Sequence, residues 1–287
     1  MEHPLTSTRR RAAAGGGSLA AELARLMPRD RWLLDLLDQH QVLTTAQITM
    51  LCYPSLHRAR YRLLQLHRRG ILDRFRHLTR PGSDTYRWTL GPAGAAITAA
   101  SAGKPPPRPQ QVRAHIDRLT TSPKLHHLLA VNEFFCTLAA HARHRHDVAL
   151  ARWWSERRAT AAAGNLVRPD GAGLWNVDGR QLPFWAEIDR GTEQLTRLTS
   201  KLHNGYTRLA GTRMGWPVLF WLPNPAREDH LHQLLTRHGT ATVTVATATP
   251  SHGHPAEGVW RIAGRPDSAR LALHHLPTSS NTRQEGS

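Results

Sequence analysis

The segment from Ser55 to Gly70 constrains the fold most, because it has the pattern of a helix with two different faces. Ser55 is a good N-cap residue and Gly70 a good C-terminal stop. Apolar side chains recur at helical spacing and form one face: Leu56, Ala59, Leu63 and Leu66. Polar and basic side chains form a second stripe: Arg58, Arg62, Gln65 and Arg69. The sequence therefore predicts an amphipathic helix whose polar face is cationic.

The elements around this helix predict a small DNA-binding fold. Asp30 can cap an earlier helix, and Thr44 or Thr45 can cap a short second helix that ends at Tyr53-Pro54. Two extended runs, 71–78 and 85–90, follow the third helix and are joined by turn residues at 79–84. Three helices and a hairpin in this order predict a winged helix-turn-helix domain over residues 28–100.

The charge of the chain favours a polyanionic partner for this domain. Lys and Arg number 38 against 21 Asp and Glu, a formal net charge of +17, and residues 1–100 hold 15 basic and 7 acidic side chains. We expect the third helix to enter the major groove of double-stranded DNA and the hairpin to follow the backbone or minor groove. The predicted contacts are Arg58, Arg60, Arg62, Gln65, Arg69, Arg74, Arg76 and Arg80. Two alternatives stay open, namely a protein-interaction module and a merely solvated basic face.

The rest of the chain predicts a second domain and flexible ends. Residues 1–27 have the composition of a disordered basic tail, and residues 101–112 form a proline-rich linker. Residues 113–277 alternate helical and extended patterns, which predicts an α/β domain with helices on a mostly buried sheet. Residues 278–287 are polar and predicted to be disordered. The fold class is thus α+β or α/β, with an N-terminal winged helix.

Carboxylates in the second domain resemble a nuclease core. Pro169-Asp170 precedes Glu187-Ile188-Asp189 with the order and spacing of the PD-(D/E)XK pattern, which implies a restriction-endonuclease-like domain. Asp170 and Glu187 would bind Mg²⁺, which polarises a phosphate and activates water. The lysine position of that pattern holds Asp189 here, so Lys201 in the next helix is the candidate charge stabiliser, and Glu156 is a further candidate carboxylate. The alternative is that these carboxylates only cap helices or pair with arginines.

The two halves together resemble the plasmid replication-relaxation family of bacteria. The residues that carry this resemblance are spread over roughly residues 29–240: Leu43-Thr44-Thr45-Ala46-Gln47-Ile48, the helix from Arg58 to Gly70, Trp88-Thr89-Leu90-Gly91-Pro92-Ala93-Gly94, the helix from His126 to Phe135, and Glu187-Ile188-Asp189-Arg190-Gly191-Thr192-Glu193. The resemblance implies a DNA-binding protein of a plasmid or integrated mobile element, associated with replication or mobilisation.

Other patterns narrow the function. The two cysteines, Cys52 and Cys136, cannot build a disulfide scaffold and suit a reducing cytoplasm. The sequence has no membrane-length apolar stretch, no GxxxxGK[ST] phosphate loop, and no zinc-finger spacing among its histidines. Its tyrosines are scattered outside any His-rich relaxase motif. No heptad pattern predicts a coiled-coil dimer, so the oligomeric state stays open.

These observations predict a cytoplasmic DNA-binding protein that acts in plasmid replication or mobilisation. DNA binding itself would need no cofactor, and the partners would be duplex DNA and plasmid replication or mobilisation proteins. Two alternative functions remain at this point. One is a Mg²⁺-dependent DNA endonuclease, and the other is a winged-helix transcriptional regulator.

Overall fold

The computed structural model describes residues 19–76, 85–238, 242–265 and 269–278. Helices and strands alternate and form two sheets, which confirms the predicted α+β class. The chain divides into two compact units, residues 1–132 (unit 1) and 133–287 (unit 2). The division falls inside one long helix, Leu125–Ala142, and not in the proline-rich stretch 101–112 that we expected to be the linker.

Three helices of unit 1 lie close to where the sequence predicts them, namely α2 (Pro28–His40), α3 (Thr45–Cys52) and α4 (Leu56–Arg68). The carboxylate of Asp30 accepts the backbone N–H of Met27 at 2.9 Å, and the Ser55 hydroxyl accepts that of Arg58 at 3.4 Å. Thr44 and Gln47 exchange hydrogen bonds in a reciprocal capping box. The helices that begin in unit 1 are α1 (Leu19–Ala24), α2 (Pro28–His40), α3 (Thr45–Cys52), α4 (Leu56–Arg68), α5 (Pro92–Ser101), α6 (Pro109–Thr120) and α7 (Leu125–Ala142).

Unit 1 also contains a three-stranded antiparallel sheet, of which one strand precedes α3 and two follow α4. Its strands are β1 (Leu43–Thr44), β2 (Leu72–Phe75) and β3 (Arg87–Leu90), in the spatial order β1-β3-β2. The predicted extended runs thus form a pair, with Leu72 opposite Leu90 and Phe75 opposite Arg87. The predicted turn at 79–84 and the hairpin residue Arg80 lie outside the described residues.

Two segments expected to lack structure are helical. Residues 19–24, inside the predicted 1–27 tail, form α1, where Glu22 forms an ion pair with Arg69. Residues 109–112, inside the predicted linker, form the first turn of α6, because Pro109 fits the first helical position and the Gln111 side chain accepts the Arg108 N–H at 2.8 Å. Residues 1–18 and all of the predicted 278–287 tail except Thr278 lie outside the described residues.

The apolar face of α6 explains why that segment is ordered. Val112, Ile116 and Leu119 pack with Val42 and Phe75 in one buried cluster. Burial of this area stabilises the helix at about 25 cal/mol per Å² of apolar surface. A proline-rich composition predicted an extended chain, but it did not account for this helical apolar periodicity beyond Pro109.

In unit 1, α5 approaches the backbone of Ile71, the residue before β2, very closely. A Cβ on Gly94 would lie 2.1 Å from the carbonyl oxygen of Ile71, so no other residue fits without moving the backbone. Trp88 of β3 is buried. Its indole N–H donates a hydrogen bond to the Thr45 hydroxyl at 2.9 Å. These contacts fix the strands against the helices of unit 1.

Unit 2 is built on a six-stranded mixed sheet in the spatial order β4-β5-β6-β7-β8-β9. Strands β4 to β6 are antiparallel, β6 to β8 are parallel, and β9 is antiparallel at the edge. The strands are β4 (Val148–Ser155), β5 (Gly171–Val177), β6 (Arg180–Ile188), β7 (Val218–Trp221), β8 (Val245–Ala248) and β9 (Arg261–Ile262). The helices are α8 (Glu156–Ala162), α9 (Leu195–Asn204) and α10 (Pro225–His238).

Aromatic side chains fill the core of unit 2. Phe135 of α7 stacks on Trp153 and on Phe184, with ring centroids 5.3 and 6.0 Å apart. A Cβ on Gly173 would lie 2.2 Å from the Phe184 ring, so the glycine makes room for that ring on the sheet. Trp185 is fully buried and stacks on Trp216 at 4.7 Å. The core therefore fixes β5 and β6 side by side.

Within the described ranges, no helix combines the length and the apolar character needed to cross a bilayer.

Candidate functional site

Glu187 is the centre of a buried polar cluster in unit 2. It lies on β6, one residue before the end of the strand, and is 2% exposed. The ammonium group of Lys201, on α9, donates to its Oε2 at 2.6 Å. The hydroxyl of Tyr206, just after α9, donates to its Oε1. Both carboxylate oxygens are therefore held by side chains that follow the strand in sequence.

Asp170 joins this cluster from the neighbouring strand. It directly precedes β5, and its backbone N–H donates to the Ala186 carbonyl at 3.1 Å. Its carboxylate accepts the backbone N–H of Ile188 at 2.8 Å. Gly171 lies opposite Ala186 in the antiparallel β5–β6 pair. The next position on each strand, Asp170 on one and Glu187 on the other, therefore lies at the same end of the sheet. The structure thus brings together Asp170, Glu187 and Lys201.

The electrostatics of the cluster follow from its burial. Burial raises the pKa of Glu187 to about 7, while the charge of Lys201 opposes that rise and the charge of Asp170 adds to it. Burial lowers the pKa of Lys201, but the Glu187 and Asp170 carboxylates outweigh it and raise that pKa overall. Burial and the Glu187 charge raise the pKa of Tyr206 well above its ordinary value. Lys201 is thus cationic and Tyr206 a neutral donor at neutral pH.

The donor set of this cluster fits a hard divalent cation. Mg²⁺ is usually bound through one or two carboxylates plus water, and Asp170 and Glu187 supply two. Each carboxylate oxygen has two lone pairs, so Glu187 retains acceptor capacity beside Lys201 and Tyr206. Lys201, with its side chain 27% exposed, can carry positive charge toward a phosphate at the same place.

Two other predicted or adjacent carboxylates are used elsewhere. Glu156, at the start of α8, forms an ion pair with Arg168. Asp189 occupies the lysine position of the nuclease pattern, and its carboxylate accepts hydrogen bonds from Arg227 and from the Gly191 backbone N–H. Asp189 is 8% exposed, so this pair anchors α10 to the end of β6. For Asp189, the structure therefore agrees with the alternative that these carboxylates pair with arginines.

The predicted basic stripe of unit 1 is divided between solvent and the protein. Arg58 and Arg60 are exposed on α4. Arg62 instead forms an ion pair with Asp30 of α2, which is 1% exposed, and its Nε donates to Asp30 Oδ1 at 3.1 Å. A second guanidinium nitrogen of Arg62 donates to Gln65 Oε1 at 3.0 Å. Arg62 therefore joins α4 to α2, and Gln65 is held by Arg62 on the same helix, rather than extending freely into solvent.

Arg69 is also held within unit 1. Its Nε donates to Glu22 Oε2 at 2.7 Å, and its Nη2 donates to the Glu22 carbonyl at 3.3 Å. The exposed side of α4 lies beside the predicted stripe. The exposed side chains there are His57, Arg58, Arg60, Tyr61 and Arg68.

Two arginines of the β2 segment, Arg74 and Arg76, lie against one aromatic ring. The guanidinium groups of Arg74 and Arg76 lie 4.0 and 5.1 Å from the centroid of the Tyr86 ring. Such stacking orients a guanidinium while leaving N–H groups for a further partner. Arg74 and Arg76 are half-buried, and Arg80 lies outside the described residues.

Sequence reasoning missed some members of both sites. Tyr206 lies outside the carboxylate motif of β5 and β6. It follows Lys201 by five residues, and this spacing is the signal that could have placed it just after α9, near Lys201. His57, Tyr61 and Arg68 share the exposed side of α4, and the acidic partners Glu22 and Asp30 upstream were the signal that the other arginines would be paired.

A comparison of the sequence with known protein families identifies the family of this chain. The sequence profile of the replication-relaxation family matches residues 34–219, well over half of the chain. The chain belongs to the replication-relaxation family. The matched region of this replication-relaxation protein begins in α2 and ends in β7, so it contains α4 and the Asp170, Glu187 and Lys201 cluster. Membership points to a role in plasmid replication or mobilisation. No curated protein and no solved structure matches the chain.

Proposed function

We propose that this replication-relaxation protein binds double-stranded DNA of a plasmid or integrated mobile element through unit 1, and that α4 is the helix that enters the major groove. The observation that carries this proposal is the exposed side of α4. Arg58, Arg60 and Arg68 lie there with His57 and Tyr61, and α3 and α4 are joined by the three-residue turn Tyr53-Pro54-Ser55. This helix-turn-helix order, together with a short sheet, supports the proposal of a winged helix.

The charges of unit 1 support a phosphate-rich partner. The arginines that remain exposed on α4 are free of the Glu22 and Asp30 pairs described above. Arg74 and Arg76 on the hairpin are oriented by Tyr86. Arginine binds phosphate oxygens and guanine edges through its planar set of N–H donors. We therefore expect the α4 arginines to contact DNA directly and the hairpin arginines to contact the backbone.

The test is fluorescence anisotropy of a labelled duplex over a range of salt concentrations. Each phosphate contact contributes about 0.9 to the slope of log affinity against log salt, so Arg58→Ala or Arg60→Ala should lower that slope by about one. Arg113→Ala, an exposed arginine of α6, is the matched control because it removes the same charge from another helix. Equal loss in all three variants would show a diffuse charge effect and contradict the α4 assignment.

The biological setting follows from the family. We propose that the protein acts in the cytoplasm and works with replication or mobilisation proteins at a plasmid site, with no cofactor required for DNA binding. A promoter rather than an origin as the preferred site would instead make it a transcriptional regulator. Selection of bound fragments from a plasmid library separates these two outcomes.

A second candidate function is Mg²⁺-dependent DNA cleavage by unit 2. The observation that favours it is the buried Glu187 with Lys201 and Asp170, two carboxylates and an ammonium at the end of adjacent strands. In this role Asp170 and Glu187 would hold the ion and Lys201 would stabilise charge on the phosphate. When bound, the ion would supply polarisation of the phosphate and an activated water.

Supercoiled plasmid incubated with Mg²⁺ or Mn²⁺ tests this second candidate. Nicked or linear product that disappears in Asp170→Asn and Glu187→Gln, but persists in Glu156→Gln, would support it. Glu156→Gln is the matched control because Glu156 pairs with Arg168. Intact plasmid under conditions where the protein retards the same DNA would leave unit 2 with a non-catalytic role.

A further inference from the structure

A second cluster of ligand-type side chains lies in unit 2. His141 is in the last turn of α7, and His254 and Glu257 follow the short 3-10 helix Pro250–His252. One donor atom from each of the three residues lies within 4.8 Å of the donor atoms of the other two. The proposed function assigns no role to these residues.

The local backbone holds His254 and Glu257 in place. The Glu257 N–H donates to the His254 carbonyl at 2.9 Å, and the Val259 N–H donates to the Glu257 carbonyl at 2.8 Å. The indole N–H of the buried Trp260 donates to the Pro255 carbonyl at 2.7 Å. This turn is therefore fixed before any ligand binds, which lowers the entropic cost of binding.

The side chains of the cluster already face one another. The imidazole rings of His141 and His254 have centroids 4.4 Å apart and planes 28° apart. The charge of Glu257 acts on both rings, and so does the opposite charge of the exposed Arg145. The cluster thus combines two imidazoles with one carboxylate at a half-buried surface.

We propose that His141, His254 and Glu257 bind one zinc-class divalent transition-metal ion. Two imidazoles and a carboxylate are a ligand set used by zinc with an open fourth position, whereas Mg²⁺ prefers oxygen ligands. Tetrahedral Zn²⁺ with bonds of about 2.0–2.1 Å needs donor atoms about 3.3–3.5 Å apart, and the donors here lie within 4.8 Å of one another, so the side chains must close by at most about 1.5 Å. Such a movement lies within the rotamer freedom of the exposed Glu257.

Binding exchanges hydrogen bonds at His254. In the structure its Nδ1 accepts the Ala256 N–H at 3.1 Å, and a ring N–H faces the Thr137 carbonyl. The ion takes the place of one of these two partners, and the other then orients the ring as an outer-shell contact does in known metal sites. Arg145 opposes the ion by its charge, so its removal should strengthen binding.

The experiment is calorimetric titration of chelator-stripped full-length protein with Zn²⁺, and with Co²⁺ monitored by visible absorption. We expect one ion per chain and the spectrum of four-coordinate cobalt. His141→Ala and His254→Ala should each weaken Zn²⁺ binding by more than about tenfold. Loss of an outer-shell partner alone already weakens metal affinity by about ten- to a hundredfold, and these variants lose a direct ligand. Arg145→Ala should bind at least as tightly as the unchanged chain.

The controls exclude unspecific binding by a histidine-rich chain. His274→Ala removes one ring of a different histidine pair, His274 and His275, whose ring centroids lie 3.9 Å apart. This variant should leave Zn²⁺ binding unchanged. Circular dichroism confirms that each variant is folded. Absence of binding by the unchanged chain, or equal binding by folded His141→Ala and His254→Ala, would overturn the proposal. Neither result bears on DNA binding by unit 1, which is measured separately.

Discussion

Unit 1 and unit 2 both gather charged side chains, but they place them differently. Arg62 of α4 and Arg69, which directly follows α4, form ion pairs with Asp30 and Glu22, and the exposed arginines of α4 lie beside them. In unit 2, Glu187 is buried and its carboxylate is shared by Lys201 and Tyr206. The α4 arginines that pair with neither Glu22 nor Asp30 therefore lie at the surface, whereas the carboxylate of Glu187 lies buried at the end of a sheet.

This difference shows what each kind of pattern determines. A helical period fixes which residues share a face, but it does not say whether that face meets solvent or another helix. Strand pairing is more restrictive, because residues next to paired positions must lie at the same end of the sheet. The position of Asp170 near Glu187 follows from the pairing of Gly171 with Ala186.

The largest expected effect is on the stability of unit 1. Asp30→Ala leaves Arg62 without its carboxylate. Loss of one partner of a buried pair costs about 3–5 kcal/mol, and the 20% exposure of the Arg62 side chain places the expected loss at about 3 kcal/mol of unfolding free energy. Urea denaturation measures it. Asp38→Ala, exposed on the same helix, should change the free energy by less than about 0.5 kcal/mol. Equal losses in the two variants would contradict the role of the pair.

The next effect sharpens the account of unit 2. Tyr206→Phe removes the hydroxyl that donates to the buried Glu187 carboxylate. The expected cost is about 1–3 kcal/mol of unfolding free energy, because a buried acceptor loses a partner. Tyr61→Phe is the control, since Tyr61 is 64% exposed. A stability change no larger for Tyr206→Phe than for Tyr61→Phe would mean that the hydroxyl does not hold Glu187.

The pH dependence of stability tests the buried carboxyl itself. Burial raises the pKa of Glu187 from 4.5 to about 7. A group with a raised pKa binds its proton more tightly in the folded state, so its contribution is complete below pH 4.5 and is lost as the pH rises through about 7. The unchanged chain should lose stability relative to Glu187→Gln over that window, in denaturation experiments with a chelator. Parallel profiles would contradict a raised pKa.

The smallest effect separates Arg69, which pairs with Glu22, from the exposed arginines of α4. Arg69→Ala breaks the partly exposed pair with Glu22 and should cost up to about 1 kcal/mol of unfolding free energy. Its slope of DNA affinity against salt should stay unchanged, whereas that of Arg58→Ala falls by about one. The opposite assignment of the two slopes would show that Arg69 leaves Glu22 to contact DNA.

Much of the fold could be predicted because its signals are local. The caps at Thr44 and Ser55 and the break at Tyr53-Pro54 place the helices, and the family resemblance was confirmed. The formation of α1 and α6 depends instead on residues distant in sequence. Glu22 of α1 forms an ion pair with Arg69, and Ile116 of α6 shares an apolar cluster with Phe75. Composition alone cannot show such contacts.

The candidate sites follow the same rule. Asp170 and Glu187 were predicted from a spacing that strand pairing preserves, and Lys201 was predicted from its place in the next helix. Tyr206 was missed because its hydroxyl reaches Glu187 only through the path of the chain after α9. On α4, the stripe of arginines was predicted, but the ion pairs that divide it depend on α1 and α2.

The measurement that tests the central claim most directly is the salt dependence of duplex binding by a triple variant, Arg58→Ala with Arg60→Ala and Arg68→Ala. Our account predicts that the slope of log affinity against log salt falls by about three relative to the unchanged chain. A triple variant carrying Arg113→Ala, Arg118→Ala and Arg31→Ala loses the same charge and should keep most of the slope. An unchanged slope in the α4 variant would contradict the claim that α4 contacts DNA.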